Sequence, residues 1–304
     1  MKKTYTLAMS DGCPLSLTLW EPEGTIRALL YVVHGMVEHI SRYEPLAQYL
    51  NSQGILVVGD DHRGHGLSHT TGSPIFYANE HGWQRILKDL EEVLTHVTTK
   101  YTVPCFIFGH SMGSYMTRCY LANHSDAFDG AIICGTGQPP LPLTLTALGL
   151  SHIRYYFSGN TKEDVFLSQL AFGNYNNRFQ PATTPFEWLS SRSDQVQKYM
   201  DDPMCGGIPT AGFWKDFLGG IKTATSKATF KLDPELPLLL IGGEEDPVGD
   251  YGKAIPKIAK LYKQQGSKEV NYKLYKACRH EILNDVCREE VSQDILHFIE
   301  MHNF

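Results

Sequence analysis

The 304-residue chain contains no Cys-x-x-Cys pair. Its seven cysteines, Cys13, Cys105, Cys119, Cys134, Cys205, Cys278 and Cys287, are odd in number and scattered. That pattern points away from a disulfide framework and from a cysteine zinc site. Those in apolar runs read as small core residues. No run approaches the roughly 20 apolar residues of a membrane span. The opening segment, MKKTYTLAMSDG, has two lysines but no apolar stretch behind them, unlike a signal peptide. These features together lead to the expectation of a reduced, cytoplasmic, soluble protein. Long basic runs are missing and the net charge is −6, so nucleic acid is not an expected partner. Internal repeats and low-complexity segments are missing too.

What is there is alternation. Apolar stretches at 4–9 and 15–20 flank Ser10-Asp11-Gly12 and read as a hairpin. Further short apolar runs at 28–33, 55–59, 103–108, 131–134, 236–241 and 270–275 read as buried strands. Helical periodicity fills 43–53, 83–98, 111–123, 251–264 and 289–302. Strands alternating with helices imply an α/β protein with a mostly parallel sheet covered on both faces. The rhythm fails between about 137 and 230. GQPPLPL opens that stretch, and aromatic residues crowd it, among them Phe172, Phe186 and Trp188. We expect a core formed by 1–136 and 231–304, with 137–230 inserted as a cap.

The sequence CFIFGHSMGSYMTRCY sets Ser111 between Gly109 and Gly113 where a strand gives way to a helix. G-x-S-x-G alone is weak, but that context is what a nucleophile elbow requires. A serine nucleophile needs a base, and in this arrangement the order along the chain is serine, acid, histidine. His280, in a loop just past the strand at 270–275, is the candidate base. The acid is expected after the strand at 236–241, where Glu244, Glu245 and Asp246 run together. Asp246 is preferred because a short side chain ahead of Pro247 is held by its turn. Backbone N–H groups of Met112 and Met36 are placed to form an oxyanion hole, with His34 bracing the loop. The cluster Asp60-Asp61-His62-Arg63-Gly64-His65 offers a competing metal reading through Asp61, His62 and His65. No HExxH or HxHxD run supplies further ligands, so no metal is expected.

Taken together, HGMVEHISRY, DDHRGHGLS, GHSMGS, GGEEDPV and CRHEILND resemble the monoacylglycerol lipase and lysophospholipase group of the α/β-hydrolases. The stretches FGNYNNRF and WLSSRSDQVQKYMDDPMCGG resemble bacterial members of that group, and the resemblance covers nearly the whole chain. It implies the α/β-hydrolase fold with an inserted, mainly helical cap, no cofactor, and ester hydrolysis. Carried over, the nucleophile falls on Ser111, the acid on Asp246, the base on His280, and the oxyanion donors on Met36 and Met112. Val37 stands where the family often has a second glycine, and Ser114 where it often has glycine. The expected activity is hydrolysis of lipid-like esters, monoacylglycerols first. Alternatives are a lysophospholipase or small-ester carboxylesterase, a peptidase or acyltransferase on the same residues, and a small-molecule receptor using the capped pocket. The expected partner is a small lipid ester, with transient contact between the cap and a membrane or micelle surface.

Overall fold

Every residue of β3 (Ala28–Val33), β4 (Ile55–Asp60), β5 (Cys105–His110), β6 (Gly130–Cys134) and β7 (Leu238–Gly243) is buried in the computed structural model, which describes residues 1–69 and 73–303. Strands buried on both faces have no need to alternate, which is why their sequences are continuous apolar runs. With β1 (Lys2–Ala8), β2 (Pro14–Trp20) and β8 (Val270–Tyr275), the described residues form one sheet in the order β1-β2-β4-β3-β5-β6-β7-β8. β2 pairs antiparallel with both β1 and β4, and the remaining pairings are parallel.

Alternate residues of each strand feed two cores. Leu29, Tyr31 and Val33 face α2 (Gly82–Lys100), α3 (Met112–His124) and α8 (Ala254–Gln264). Ala28, Leu30 and Val32 face α1 (Glu44–Asn51) and α9 (Arg288–Met301). Helix α8 starts three residues later than its periodicity suggests. Asp250, Tyr251 and Gly252 have φ of 49°, 53° and 81°, a left-handed turn that a helix cannot include. Parallel pairing brings the ends of β3, β5, β7 and β8 to one edge of the sheet, the edge at which open α/β sheets collect ligands.

Between β6 and β7 lie α4 (Leu141–Ser158), α5 (Val165–Phe172), α6 (Ser193–Asp201) and α7 (Ala211–Ala224), the mainly helical insertion. α7 buries Phe213, Trp214 and Phe217 in the same core as α2 and α3. Arg118 on α3 is fully buried and donates to Thr136, the Gly137 carbonyl, Gln138 and the Ala224 carbonyl at 2.7–3.1 Å. One side chain thus ties both ends of the insertion to the helix behind Ser111.

One expectation is corrected. Cys278 and Cys287 form a disulfide, with Cα atoms 6.6 Å apart and nine residues of separation. The loop between them turns back through Ile282–Asn284, a tertiary closure that local spacing rules do not register. Cys105, Cys119 and Cys134 are free and buried as expected. On α4, Leu141, Leu143 and Leu145 are exposed. No helix among the described residues is long and apolar enough to cross a membrane.

Candidate active site

Ser111 follows directly on β5 and caps the start of α3 with φ 52° and ψ −117°, a strained conformation for a non-glycine residue. Its N–H donates to the Cys134 carbonyl on β6 at 3.0 Å, which fixes the turn to the sheet. Gly113 makes the turn possible, because a β-carbon there would overlap the Val33 carbonyl of β3. Met112 opens α3, and Met36 lies in the loop after β3 and lines the space beside Ser111.

The Ser111 hydroxyl stands 2.9 Å from His280 Nε2, and His280 Nδ1 stands 3.0 Å from Asp246 Oδ1. Asp246 Oδ1 also accepts from the Val248 N–H at 2.9 Å, so the turn orients the carboxylate. Glu244 and Glu245 are exposed. Glu245 reaches only Arg279, at 3.9 Å, and takes no part in this row. Gly243, at the end of β7, has no side chain to push away the Cys278 and Arg279 carbonyls, and the histidine loop closes onto it. The insertion grips the same loop: His280 N–H donates to the Trp188 carbonyl at 3.3 Å and Glu281 N–H to the Leu189 carbonyl at 2.7 Å.

Beneath the row lies a buried charge network that the sequence reading did not single out. Arg42 donates to Glu38 at 2.9 Å and to both oxygens of Glu281 at 2.6 Å. Glu38 also accepts from Tyr43, from the Gly35 N–H and from His110. Burial opposes the charge on Glu38, but the His110 bond and Arg42 outweigh it and hold the carboxyl well below its usual range. Burial likewise opposes protonation of His110, and its bond to Glu38 raises its pKa nonetheless. This network joins the loop after β3 to the loop after β8. The signal was present in sequence, since Glu38 and Glu281 each directly adjoin residues of interest.

The cluster read as an alternative metal site is not gathered as one. Asp61 accepts from the Ile40 and Leu67 N–H groups, both at 2.8 Å, and His62 faces Asp60 at 2.9 Å. His34 stacks on His62 and bridges its own loop, with Nδ1 donating to the Gly35 carbonyl at 2.7 Å. Among the described residues, one trio offers metal-type ligand atoms within 4.8 Å of one another: His39, Asp202 and Cys205. There His39 Nε2 and Asp202 are hydrogen-bonded to each other at 2.8 Å.

The chain matches a family described as serine aminopeptidase S33 over residues 24–286. It belongs to that family of α/β-hydrolases. The monoglyceride lipase of Rattus norvegicus is 28% identical over 298 residues, covering 96% of this chain and 88% of that protein. The monoacylglycerol lipase of Mycolicibacterium smegmatis is 25% identical, covering 99% and 98%. The crystal structure of a carboxyl esterase from Bacillus coagulans in complex with glycerol superposes with a TM-score of 0.89 at 27% identity, covering 100% and 99%. The chain is a lipase-like hydrolase of that family. In this hydrolase, the row of Ser111, His280 and Asp246 opens on a cavity of about 360 Å³. Its walls are largely apolar, with Val165, Phe172, Phe186, Trp188, Ile208 and Val248 among them.

Proposed function

We propose that this hydrolase cleaves lipid-like carboxylic esters, monoacylglycerols first, through an acyl-enzyme on Ser111. The observation that carries the proposal is the hydrogen-bonded row Ser111–His280–Asp246, at 2.9 and 3.0 Å, facing an apolar cavity. Ser111 Oγ attacks the ester carbonyl while His280 Nε2 takes its proton. Asp246 holds the imidazole with Nδ1–H toward its carboxylate and stabilises the imidazolium. The N–H groups of Met36 and Met112 receive the oxyanion, a contribution of several kcal/mol in such sites. His280 returns the proton to the departing alcohol, then activates the water that frees the fatty acid.

Residues 137–230 act as the cap and supply the acyl-binding wall. α5 carries Phe172 toward the cavity and exposes Phe166 and Leu170. With Leu141, Leu143, Tyr156 and Phe157 of α4, these outward residues suit transient contact with a micelle or membrane surface, from which the substrate is drawn. The relatives named as monoglyceride lipases and the esterase solved with glycerol support the substrate class. A peptidase acting at a free amino terminus needs a free carboxylate near the serine. Glu38 and Glu281, the acidic residues lining the cavity, are both taken by Arg42.

The test is fluorophosphonate labelling together with turnover of a graded monoacylglycerol series. Labelling is expected on Ser111, and Ser111→Ala should lose at least about 10⁴-fold in turnover while remaining folded. Specificity constants should rise with acyl length by up to about fourfold per carbon until the cavity is filled. A steady fall from the two-carbon ester upward would leave a small-ester esterase, and faster turnover of lysophospholipids would select that alternative.

A further inference from the structure

Val37 is a β-branched residue at φ 49°, in the left-handed region that such residues avoid. It sits in the loop that carries Met36. Something must hold it there. The Val37 carbonyl accepts two hydrogen bonds, one from the Tyr199 hydroxyl at 3.1 Å and one from the Gly206 N–H at 2.9 Å. Both donors belong to the inserted segment. A third tie lies two residues on, where His39 meets Asp202 at 2.8 Å. On the inner side, the Gly35 N–H is fixed to Glu38 at 2.6 Å. Met36 lies between the Gly35 pin and the Val37 pin, so its backbone is held from both sides.

We infer that Tyr199 is a positioning residue: from the cap it keeps Val37 left-handed and thereby aims the Met36 N–H at the reacting carbonyl oxygen. The oxyanion hole is then complete only while the segment around residues 199–206 is docked on the loop. This rests on the ester-hydrolysis reading above. Tyr199 is well set for the task. It is 5% exposed, and its ring packs 5.1 Å from Phe186 and lies under the Arg42 guanidinium at 5.0 Å. Burial keeps its phenol protonated, so the hydroxyl remains a donor. Tyr199 also lines the cavity, and a mere wall residue would act on substrate affinity instead.

Tyr199→Phe removes the hydroxyl and leaves the ring. It is made in the native chain and in Val37→Gly, where the left-handed conformation carries no steric penalty. With a soluble aryl ester, the native background should lose about tenfold in kcat with KM within about twofold, a part of the effect of deleting one oxyanion donor. In the glycine background, the same change should cost less than about threefold relative to Val37→Gly alone, because the two residues are coupled. Affinity for a trifluoromethyl ketone, which binds as a tetrahedral adduct, should fall in parallel with kcat. Equal losses in the two backgrounds, a loss confined to KM, or no loss overturns the role of Tyr199 while leaving the serine mechanism intact. Failure of the native protein to be labelled by a fluorophosphonate overturns both.

Discussion

At the sheet edge Asp246 is 1% exposed and His280 2%, whereas on α4 Tyr156 is 82% exposed and Phe157 81%. The two regions use apolar surface in opposite ways. The edge is gathered by parallel strands whose ends are fixed by the ladder, and each loop there is tied to its neighbours by buried hydrogen bonds. α4 turns aromatic and aliphatic side chains outward that the core does not use. On the proposed reading, chemistry and stability reside together at the edge, and α4 is the region whose substitution should leave both unchanged.

The largest expected effect concerns the acid. Asp246→Asn should lower kcat by about 10⁴-fold, since the amide favours the wrong tautomer of His280 and cannot stabilise the imidazolium. Glu245→Gln should stay within about twofold, because its only ionic partner among the described residues is Arg279 at 3.9 Å and its carboxylate is half-exposed. Steady-state kinetics of the two variants checks the contrast, and a reversed order would move the acid to Glu245.

Next comes the tie between the regions. Arg118→Met leaves the carbonyls of Gly137 and Ala224 without their buried donor. A loss of about 3 kcal/mol in urea unfolding is expected. A change below about 0.5 kcal/mol would mean that the ends of the insertion hold themselves in place.

The buried histidines give the edge a pH signature that α4 lacks. Burial depresses His34 well below 6.5 and His65 to about 3, so the unfolded chain takes up protons that the folded chain refuses. Their contribution is complete above about pH 6.5 and is lost as the pH falls. For His62 and His110 burial is outweighed by Asp60 and Glu38, and both are raised. Their contribution is present below about pH 6.5 and is lost as the pH rises through the folded values. Between about pH 5.5 and 7.5 stability should peak near 6.5, with limbs of up to about 1.4 kcal/mol per pH unit for each histidine. Chemical denaturation across this range measures it, and His65→Asn should flatten the acid limb only.

The smallest effect on the fold belongs to α4. Phe157→Glu should change unfolding free energy by no more than about 0.5 kcal/mol. It should reduce retention on phosphatidylcholine vesicles severalfold and leave turnover of a soluble aryl ester unchanged. Unchanged retention would remove α4 from the lipid-facing surface.

The strands were legible because double-sided burial writes itself as uninterrupted aliphatic runs. Ser111 was legible because two glycines between a strand and a helix have few other uses, and His280 because it follows the last strand. Three adjacent carboxylates could only be ranked, since spacing along a loop says nothing about which side chain turns inward. Glu38 and Arg42, four residues apart, went unread with Glu281 because Glu281 lies 239 residues beyond Arg42.

By itself, the sequence determined the alternation of elements, hence a parallel sheet, and the order of serine, acid and histidine along it. Those are local properties, set by periodicity and by turn residues. Only the tertiary structure decided that Asp246 rather than Glu245 meets His280, and that a tyrosine of the insertion clasps a left-handed valine beside Met36. Each depends on where a loop lands after the sheet has closed, and contacts between distant segments are fixed by packing, which no single stretch of chain contains.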